Sequence, residues 1–333
     1  MRIEHFEVAR SEEERMAATE TDPRVAVVGA GAVGGYFGGL LARAGKPVVL
    51  IGRPSFTEAV RKSGLYLDTV QFQETVHPEV SSELSAAAGA DVVLFCVKTR
   101  DTASVATRLS TILSPQATII SLQNGVSNAE EIRAASGFDA LSSVVYVAAA
   151  LPEPGHVKHF GRGDLVLGPK NQKAEWLAQF FASANIPCRV SDNIEGELWT
   201  KLIWNCGLNA LSGLGRATYG EILASEDAKR LVEAAVYEVL RVAHAKGIHP
   251  PGLEDPKAAL AGTLRIAQQM SGMRSSTAQD MERGKLTEID SLNGYVAKLG
   301  VELGVPTPVN HTLYTLVKLQ EAGYGVQTAA LVP

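Results

Sequence analysis

The sequence predicts an α/β fold, with a doubly wound parallel sheet over residues 24–191 and an all-helical domain over 192–333. Three observations carry this reading. Short apolar runs recur through the first part, each followed by a polar turn and a helix-compatible stretch. A turn crowded with glycine separates the first run from the first such stretch. Beyond about residue 192 the apolar residues fall at helical spacing and strand signals nearly vanish.

Residues 1–23, MRIEHFEVARSEEERMAATETDP, hold acidic residues throughout and contain no apolar core segment, so a signal peptide is not expected there. They read as a tail or short capping segment, and Met16 is a second candidate start. Val25 to Val28 is a short apolar run fit for a strand buried on both faces. Tyr36 to Arg43 reads as a helix ending near Gly45, and Pro47 to Ile51 as a second buried strand. Strand, turn, helix and strand make a βαβ unit with a parallel pair. DVVLFCVK (91–98), ATIISLQNG (117–125) and LSSVVYVAAA (141–150) continue the strands. GHVKHFGRGDLVLG (155–168) alternates, carries glycine turns and reads as a hairpin-like addition. AEWLAQFFASANI (174–186) is a helix, and PCRVS a short strand.

Four segments then show helical spacing: NIEGELWTKLIWNCGLNALSGL, DAKRLVEAAVYEVLRVAHAKG, PKAALAGTLRIAQQM and TEIDSLNGYVAKLGVELG. Glycine and proline punctuate them at GIHPPG and VPTP.

Composition narrows the function. The chain is 46% hydrophobic and 20% charged over 333 residues, enough for two cores. With 31 basic against 36 acidic residues, the net charge of -5 gives no footprint for nucleic acid. Cys96, Cys188 and Cys206 are too scattered for a disulfide framework and fit a reducing cytoplasm. No apolar stretch approaches the roughly 20 residues that span a bilayer, so no membrane partner is expected. The histidine pairs His156/His159 and His244/His249 lack ligand-spaced company, so no metal is expected. The helical half has apolar surface enough for a homodimer, but the same surface could pack as core.

Gly29-Ala30-Gly31-Ala32-Val33-Gly34 is a G-x-G-x-x-G string that follows a strand and opens a helix inside the βαβ unit. In that context it marks a Rossmann-type dinucleotide site. The first glycine permits the turn, the second admits a pyrophosphate to the backbone, and the third allows close helix–strand packing. An NAD site usually places Asp or Glu roughly 20 residues further on to bind the ribose 2′-hydroxyl. Here the second strand ends Ile51-Gly52-Arg53-Pro54-Ser55. The Arg53 fork suits a 2′-phosphate, so NADP(H) is the expected cofactor; a solvent-facing arginine is the competing reading. Lys98 and Asn124 close two further strand-end turns, where ligands of such sheets bind, although either could be an ordinary polar residue at a strand end.

In WTKLIWNCGLN (199–209), Lys201, Asn205 and Asn209 stand four residues apart and line one stripe of an otherwise apolar helix. A solvated face can carry that spacing, but it more often bears mixed charges than two asparagines. Lys201 could donate a proton to a reduced carbonyl or stabilise alkoxide charge, and the asparagines could orient a polar substrate. A second polar cluster, RSSTAQDMERGKLTEIDSLNG (274–294), offers Ser275, Ser276, Glu288 and Asp290, among which residue type alone does not choose.

The fingerprint, the VK and QNG turns, KLIWNCGLNALSGL, SSTAQDMERGKLTEIDSLNG and GVPTPVNHTLYTLVK occur in the order of ketopantoate reductases. The chain resembles that family over residues 24–320. The resemblance implies NADPH-dependent reduction of the 2-oxo acid 2-dehydropantoate to pantoate, a step toward pantothenate and coenzyme A. It also implies a cleft between a Rossmann domain and a helical domain. Lys201 matches the family's general acid, and Glu288 the carboxylate that helps hold the substrate hydroxyl and the lysine. Asn205, Asn209 and Ser276 match substrate-binding positions, with Ser276 toward the carboxylate end. Asn124 matches the junction of nicotinamide and substrate, Lys98 a cofactor-side lysine, and Arg53 the 2′-phosphate arginine. Arg100 departs from the pattern, standing where an aromatic residue is common. The competing readings are a reductase of another short branched 2-oxo acid and a non-catalytic NADP-binding sensor with a protein partner. Replacing Arg53 by Asp is expected to raise KM for NADPH far more than for NADH in steady-state kinetics; equal effects would remove Arg53 from the phosphate role.

Overall fold

A computed structural model of the chain describes residues 22–329, so most of the tail read at 1–23 lies outside the described residues. The first elements are β1 (Val25–Val28), α1 (Ala32–Arg43), β2 (Val48–Ile51) and α2 (Pro54–Ser63). They are followed by β3 (Leu65–Asp68), β4 (Gln73–Val76), β5 (Glu79–Ser81) and β6 (Val92–Phe95). Next come α3 (Thr102–Leu109), β7 (Thr118–Ser121), α4 (Asn128–Ser136) and β8 (Ala140–Glu153). The sheet-forming half ends with β9 (His156–Gly168), α5 (Gln172–Ser183) and β10 (Cys188–Val190).

Neighbouring strands in the order β5-β2-β1-β6-β7-β8 all run parallel. This is the doubly wound arrangement, whose strand order reverses beside β1. Period two sends alternate residues to opposite faces. Val25 and Val27 pack against Tyr36 and Phe37 of α1, while Ala26 and Val28 join Ala106 and Leu109 of α3 and Ile132 of α4. Helices on both faces explain why these four-residue strands are apolar throughout.

The sheet is larger than the expected parallel core. β9 folds back antiparallel on β8, β3 and β10 both pair parallel to β9, and β4 closes one end antiparallel to β3. The hairpin-like addition read at 155–168 is β9. The elements α2 and β3 to β5 go beyond the sequence expectation, because QETV and EVS are short, polar and largely exposed and leave no periodic signal.

The helical half comprises α6 (Ile194–Gly215), α7 (Tyr219–Ala224), α8 (Glu226–Ala245), α9 (Pro256–Gln269), α10 (Ser276–Glu282), α11 (Asn293–Leu303) and α12 (Pro308–Ala329). α6 is its axis: Trp199, Leu202, Ile203 and Cys206 are buried against Val232, Val236 and Val239 of α8. Side chains cap the helices where the sequence offers them. Asn193 accepts from Gly196 N at the start of α6, and Asp255 accepts from Ala258 N at the start of α9. Buried Glu238 accepts from the Val309 and Asn310 amides and from Asn310 Nδ2, at 2.9, 2.8 and 2.8 Å. Asn293 Nδ2 donates to Cys206 O at 3.0 Å and to Asn310 Oδ1 at 2.9 Å, tying α6, α11 and α12 together. The segment TEIDSLNGYVAKLGVELG is not one helix. A 3₁₀ turn at Ile289–Ser291 precedes α11, and Leu292, with φ -111° and ψ -107°, separates them. No helix among the described residues is long and apolar enough to cross a membrane.

The glycine turn after β1 shows two kinds of constraint. Gly29 has φ +100°, and a Cβ there would lie 2.7 Å from the Cys96 carbonyl carbon. At Gly31 a Cβ would meet nothing within 4 Å. Gly29→Ala is therefore expected to cost about 2 kcal/mol or more in urea unfolding, and Gly31→Ala less than about 0.5 kcal/mol. Similar losses for both would show that the turn is not constrained at Gly29.

Candidate active site

The turns after β6 and β7, one face of α6 and the turn at Glu288 bring Lys98, Asn124, Lys201 and Glu288 together at the junction of sheet and helices. The turn Gln123-Asn124-Gly125 after β7 is fixed from several sides. Gln123 Nε2 donates to Val97 O at 3.1 Å and to Thr102 Oγ1 at 2.8 Å. The Asn124 carbonyl accepts from Thr99 Oγ1 at 3.1 Å and from Asn128 Nδ2 at 2.7 Å. Gly125 supplies the left-handed φ of +98° that the turn requires.

Lys201 crosses from α6 to this turn. Its Nζ donates to Asn124 Oδ1 at 2.9 Å and to the Val145 carbonyl of β8 at 2.6 Å. Asn124 Nδ2 donates to Glu288 Oε2 at 3.0 Å. The amide orientation follows from its partners, since an ammonium only donates and a carboxylate only accepts. Burial lowers the Lys201 pKa to about 8; Glu288 draws it up, and Arg162 presses it further down.

Lys98 follows β6 and reaches Asp280 Oδ2 at 3.0 Å and Glu288 Oε2 at 3.7 Å. Burial disfavours its charge, but the Glu288 and Asp280 carboxylates outweigh that and hold its pKa above the ordinary value, against a smaller push from Arg100. The Thr99 amide donates to Glu288 Oε1 at 3.4 Å. Glu288 is thus addressed by three groups from the sheet half.

The asparagine stripe divides. Asn205 borders a narrow cleft with Asn124, Ser143, Val145, Leu198 and Lys201, and its side chain makes no hydrogen bond among the described residues. Asn209 is buried, and its Oδ1 accepts from the Tyr219 hydroxyl at 3.2 Å. Its backbone carbonyl accepts from Ser275 Oγ at 2.9 Å. Ser275 caps α10 by accepting from Ala278 N at 3.0 Å, while Ser276 presents an exposed hydroxyl one residue on.

The fingerprint fits a dinucleotide. Space is open above Gly31, and the first turn of α1 has no side-chain cap over its amides. Arg53 ends β2 as an exposed N-cap of α2, and its guanidinium has no ion pair among the described residues. No cluster of His, Cys, Asp and Glu among the described residues could hold a metal ion.

Two family models cover nearly all of this framework: Ketopantoate reductase PanE/ApbA over residues 25–172, and its C-terminal counterpart over 193–321. The chain belongs to the ketopantoate reductase family. This family member, an oxidoreductase, is 31% identical over 308 residues to the 2-dehydropantoate 2-reductase of Archaeoglobus fulgidus, covering 90% of this chain and 98% of that one. A PanE/ApbA family ketopantoate reductase from Ralstonia eutropha JMP134 superposes with TM-score 0.86 at 45% identity, over 91% of this chain and 99% of the other. D-mandelate dehydrogenase, solved in a ternary structure with NADH and anilino(oxo)acetate, matches with TM-score 0.84 over 91% and 99%. At 23% identity it shares the fold alone.

Sequence reasoning missed Asp280, Thr99 and the Val145 carbonyl. Asp280 lies one turn beyond Ser276 and Thr99 beside Lys98, so neighbourhood was the available signal; a main-chain carbonyl leaves none. Replacing Glu288 by Gln removes the negative charge that draws the Lys201 pKa upward. NMR titration of the Lys201 ammonium is expected to show a pKa below the native value of about 8. An unchanged titration would uncouple the two groups.

Proposed function

We propose that this chain is an NADPH-dependent 2-dehydropantoate 2-reductase of the cytoplasm, serving pantothenate and coenzyme A synthesis, in which Lys201 protonates the substrate's C2 oxygen. The observation that carries the reading is the state of the Lys201 ammonium. Of its three N–H groups, two are engaged by Asn124 and Val145, leaving one for a substrate oxygen in the cleft. Its pKa near 8 also suits a general acid working around neutral pH, because the proton is present yet can be released.

In this reading residues 24–191 bind the cofactor and residues 192–333 supply the helical wall of the site. The backbone of Gly29, Ala30, Gly31, Ala32, Val33 and Gly34 receives the pyrophosphate, and Arg53 receives the 2′-phosphate. Bound there, NADPH supplies the hydride. Lys98 stands on the cofactor side, held by Asp280 and Glu288. Asn124 keeps Lys201 aimed and, with Glu288, holds the substrate hydroxyl. Asn205 binds the substrate with an amide that has no competing partner among the described residues, and Ser276 adds an exposed hydroxyl; Asn209, one turn on and held by Tyr219, would serve the substrate from behind that wall.

The test is NADPH oxidation with ketopantoate beside simpler 2-oxo acids, with NADH as control. NADPH-preferring turnover of ketopantoate is expected. Preference for another acid would remove the substrate assignment, and binding of NADPH without turnover of any acid would remove the reductase reading. Lys201→Ala is expected to lower kcat by roughly 100-fold or more with folding intact. The native kcat should decline as pH rises through about 8, where the ammonium loses its proton. A rate still level well above that pH would exclude Lys201 as the acid.

A further inference from the structure

Arg162 has no part in the chemistry above, yet the fold aims it with unusual care. It lies opposite Val147 in the β8–β9 ladder, two residues from Val145, whose carbonyl takes Lys201. That separation is about 6–7 Å along a strand. Its guanidinium carbon stands 4.0 Å from the centre of the Tyr146 ring. Tyr146 packs with Val144, Ile194 and Leu198, and its ring lies 6.3 Å from that of Trp204. The guanidinium is therefore on the α6 side of the sheet, the side of Lys201, where its positive charge helps depress the lysine's proton affinity.

The backbone shows that this placement is imposed. Arg162 has φ +58°, between Gly161 at +152° and Gly163 at +133°, where the ladder shifts register between Tyr146 and Val147. A side-chain-bearing residue is strained in that region, and bulges commonly re-aim a side chain beside an active site. The bulge is braced from the cofactor side. The His159 ring stacks on Tyr36 of α1 at 4.5 Å, and its Nε2 lies 2.6 Å from the Arg162 carbonyl. Gly163 lies so close to the Tyr36 hydroxyl that a Cβ there would be 2.4 Å away. The bulge thus sits between the helix that opens on the fingerprint and the helix that carries Lys201.

The guanidinium is also oriented. Nε and Nη2 donate to the two Asp164 oxygens at 3.0 and 2.7 Å. That pairing uses one edge of the fork and leaves the end-on edge, Nη1 with the remaining N–H of Nη2, without a partner among the described residues.

We propose that this free edge of Arg162, beside the cleft on the Lys201 side of the sheet, receives the carboxylate of the 2-oxo acid, making Arg162 a specificity-determining residue. The inference rests on the reductase reading. A planar fork matches a carboxylate bidentately, and ring stacking with the Asp164 pair holds that fork ready before the substrate arrives. Asp164 offsets part of the charge, so the site selects by geometry as well as by sign. Ser276 can add only a neutral hydrogen bond.

The test uses the intact chain and two readouts. In steady-state assays, Arg162→Gln should raise KM for the 2-oxo acid by about tenfold to a hundredfold while KM for NADPH stays unchanged. Arg162→Lys, which keeps the charge but not the fork, should fall between. The fall-off of kcat should move to higher pH in Arg162→Gln, because a positive neighbour of Lys201 is gone. A rise in KM for NADPH instead, or no change in KM for the acid, would overturn the assignment. Calorimetric titration with oxamate and with uncharged oxamide, with and without NADP⁺, reads the anion site apart from turnover. Preference for oxamate that is lost in Arg162→Gln supports the site even if no 2-oxo acid is reduced, in which case only the reductase reading fails. Absence of that preference in the native chain, or its survival in the variant, overturns the site.

Discussion

A half-buried, desolvated ammonium has to be satisfied, and the partners of Lys201 come from outside its own helix. Asn124 Oδ1 and the Val145 carbonyl belong to the sheet half, and Lys201 belongs to α6. An unpaired charge at that depth would be costly, so α6 has to dock where both acceptors are in reach. Asn124 carries the constraint onward by donating to Glu288, which also faces Lys98 and the Thr99 amide. The seam between the halves is therefore polar, cross-linked and specific in register. The apolar clusters beneath α1 and around α6 could tolerate a small slide; this chain of hydrogen bonds could not.

The layout of the sheet follows from that role. Parallel strands deliver their carboxyl ends to one rim, and the turns after β1, β2, β6 and β7 all open there. The glycines at 29 and 125 take conformations closed to most residues, keeping the rim tight enough for Cys96 to back the fingerprint and for Asn124 to face α6.

Much of this was legible in the sequence. The βαβ core was readable because doubly covered strands must be apolar on both faces, and four consecutive apolar residues bounded by turns fit few elements besides a buried strand. The K-x-x-x-N-x-x-x-N spacing pointed to one helix face, and that helix exists. The divergence of Asn205 from Asn209 was not readable, because it depends on Tyr219 and Ser275 arriving from other elements. The outer strands were not readable either. A strand such as Gln73–Val76 is defined by its neighbour in the sheet rather than by its own composition. Arg162 appeared in the sequence only as part of GRGD, and its orientation comes from a register shift against β8 that no local pattern encodes.

The sheet's margins carry a consequence for assembly. β4, β5 and β10 are the outermost strands, of four, three and three residues. Glu74 of β4 is held by Arg43 at 2.6 Å, and Glu79 of β5 by Arg24 at 3.5 Å. Such brief, charged borders offer little backbone for another chain to continue. Growth of the sheet from copy to copy through these margins is disfavoured, which leaves association between copies to exposed apolar side chains elsewhere: Val301, Leu303, Leu316 and Leu319 on two helices, with Val70, Phe160 and Leu286 outside them. The protein's tolerance of high concentration would then be set by scattered apolar side chains and hardly at all by the edges of its ten-stranded sheet.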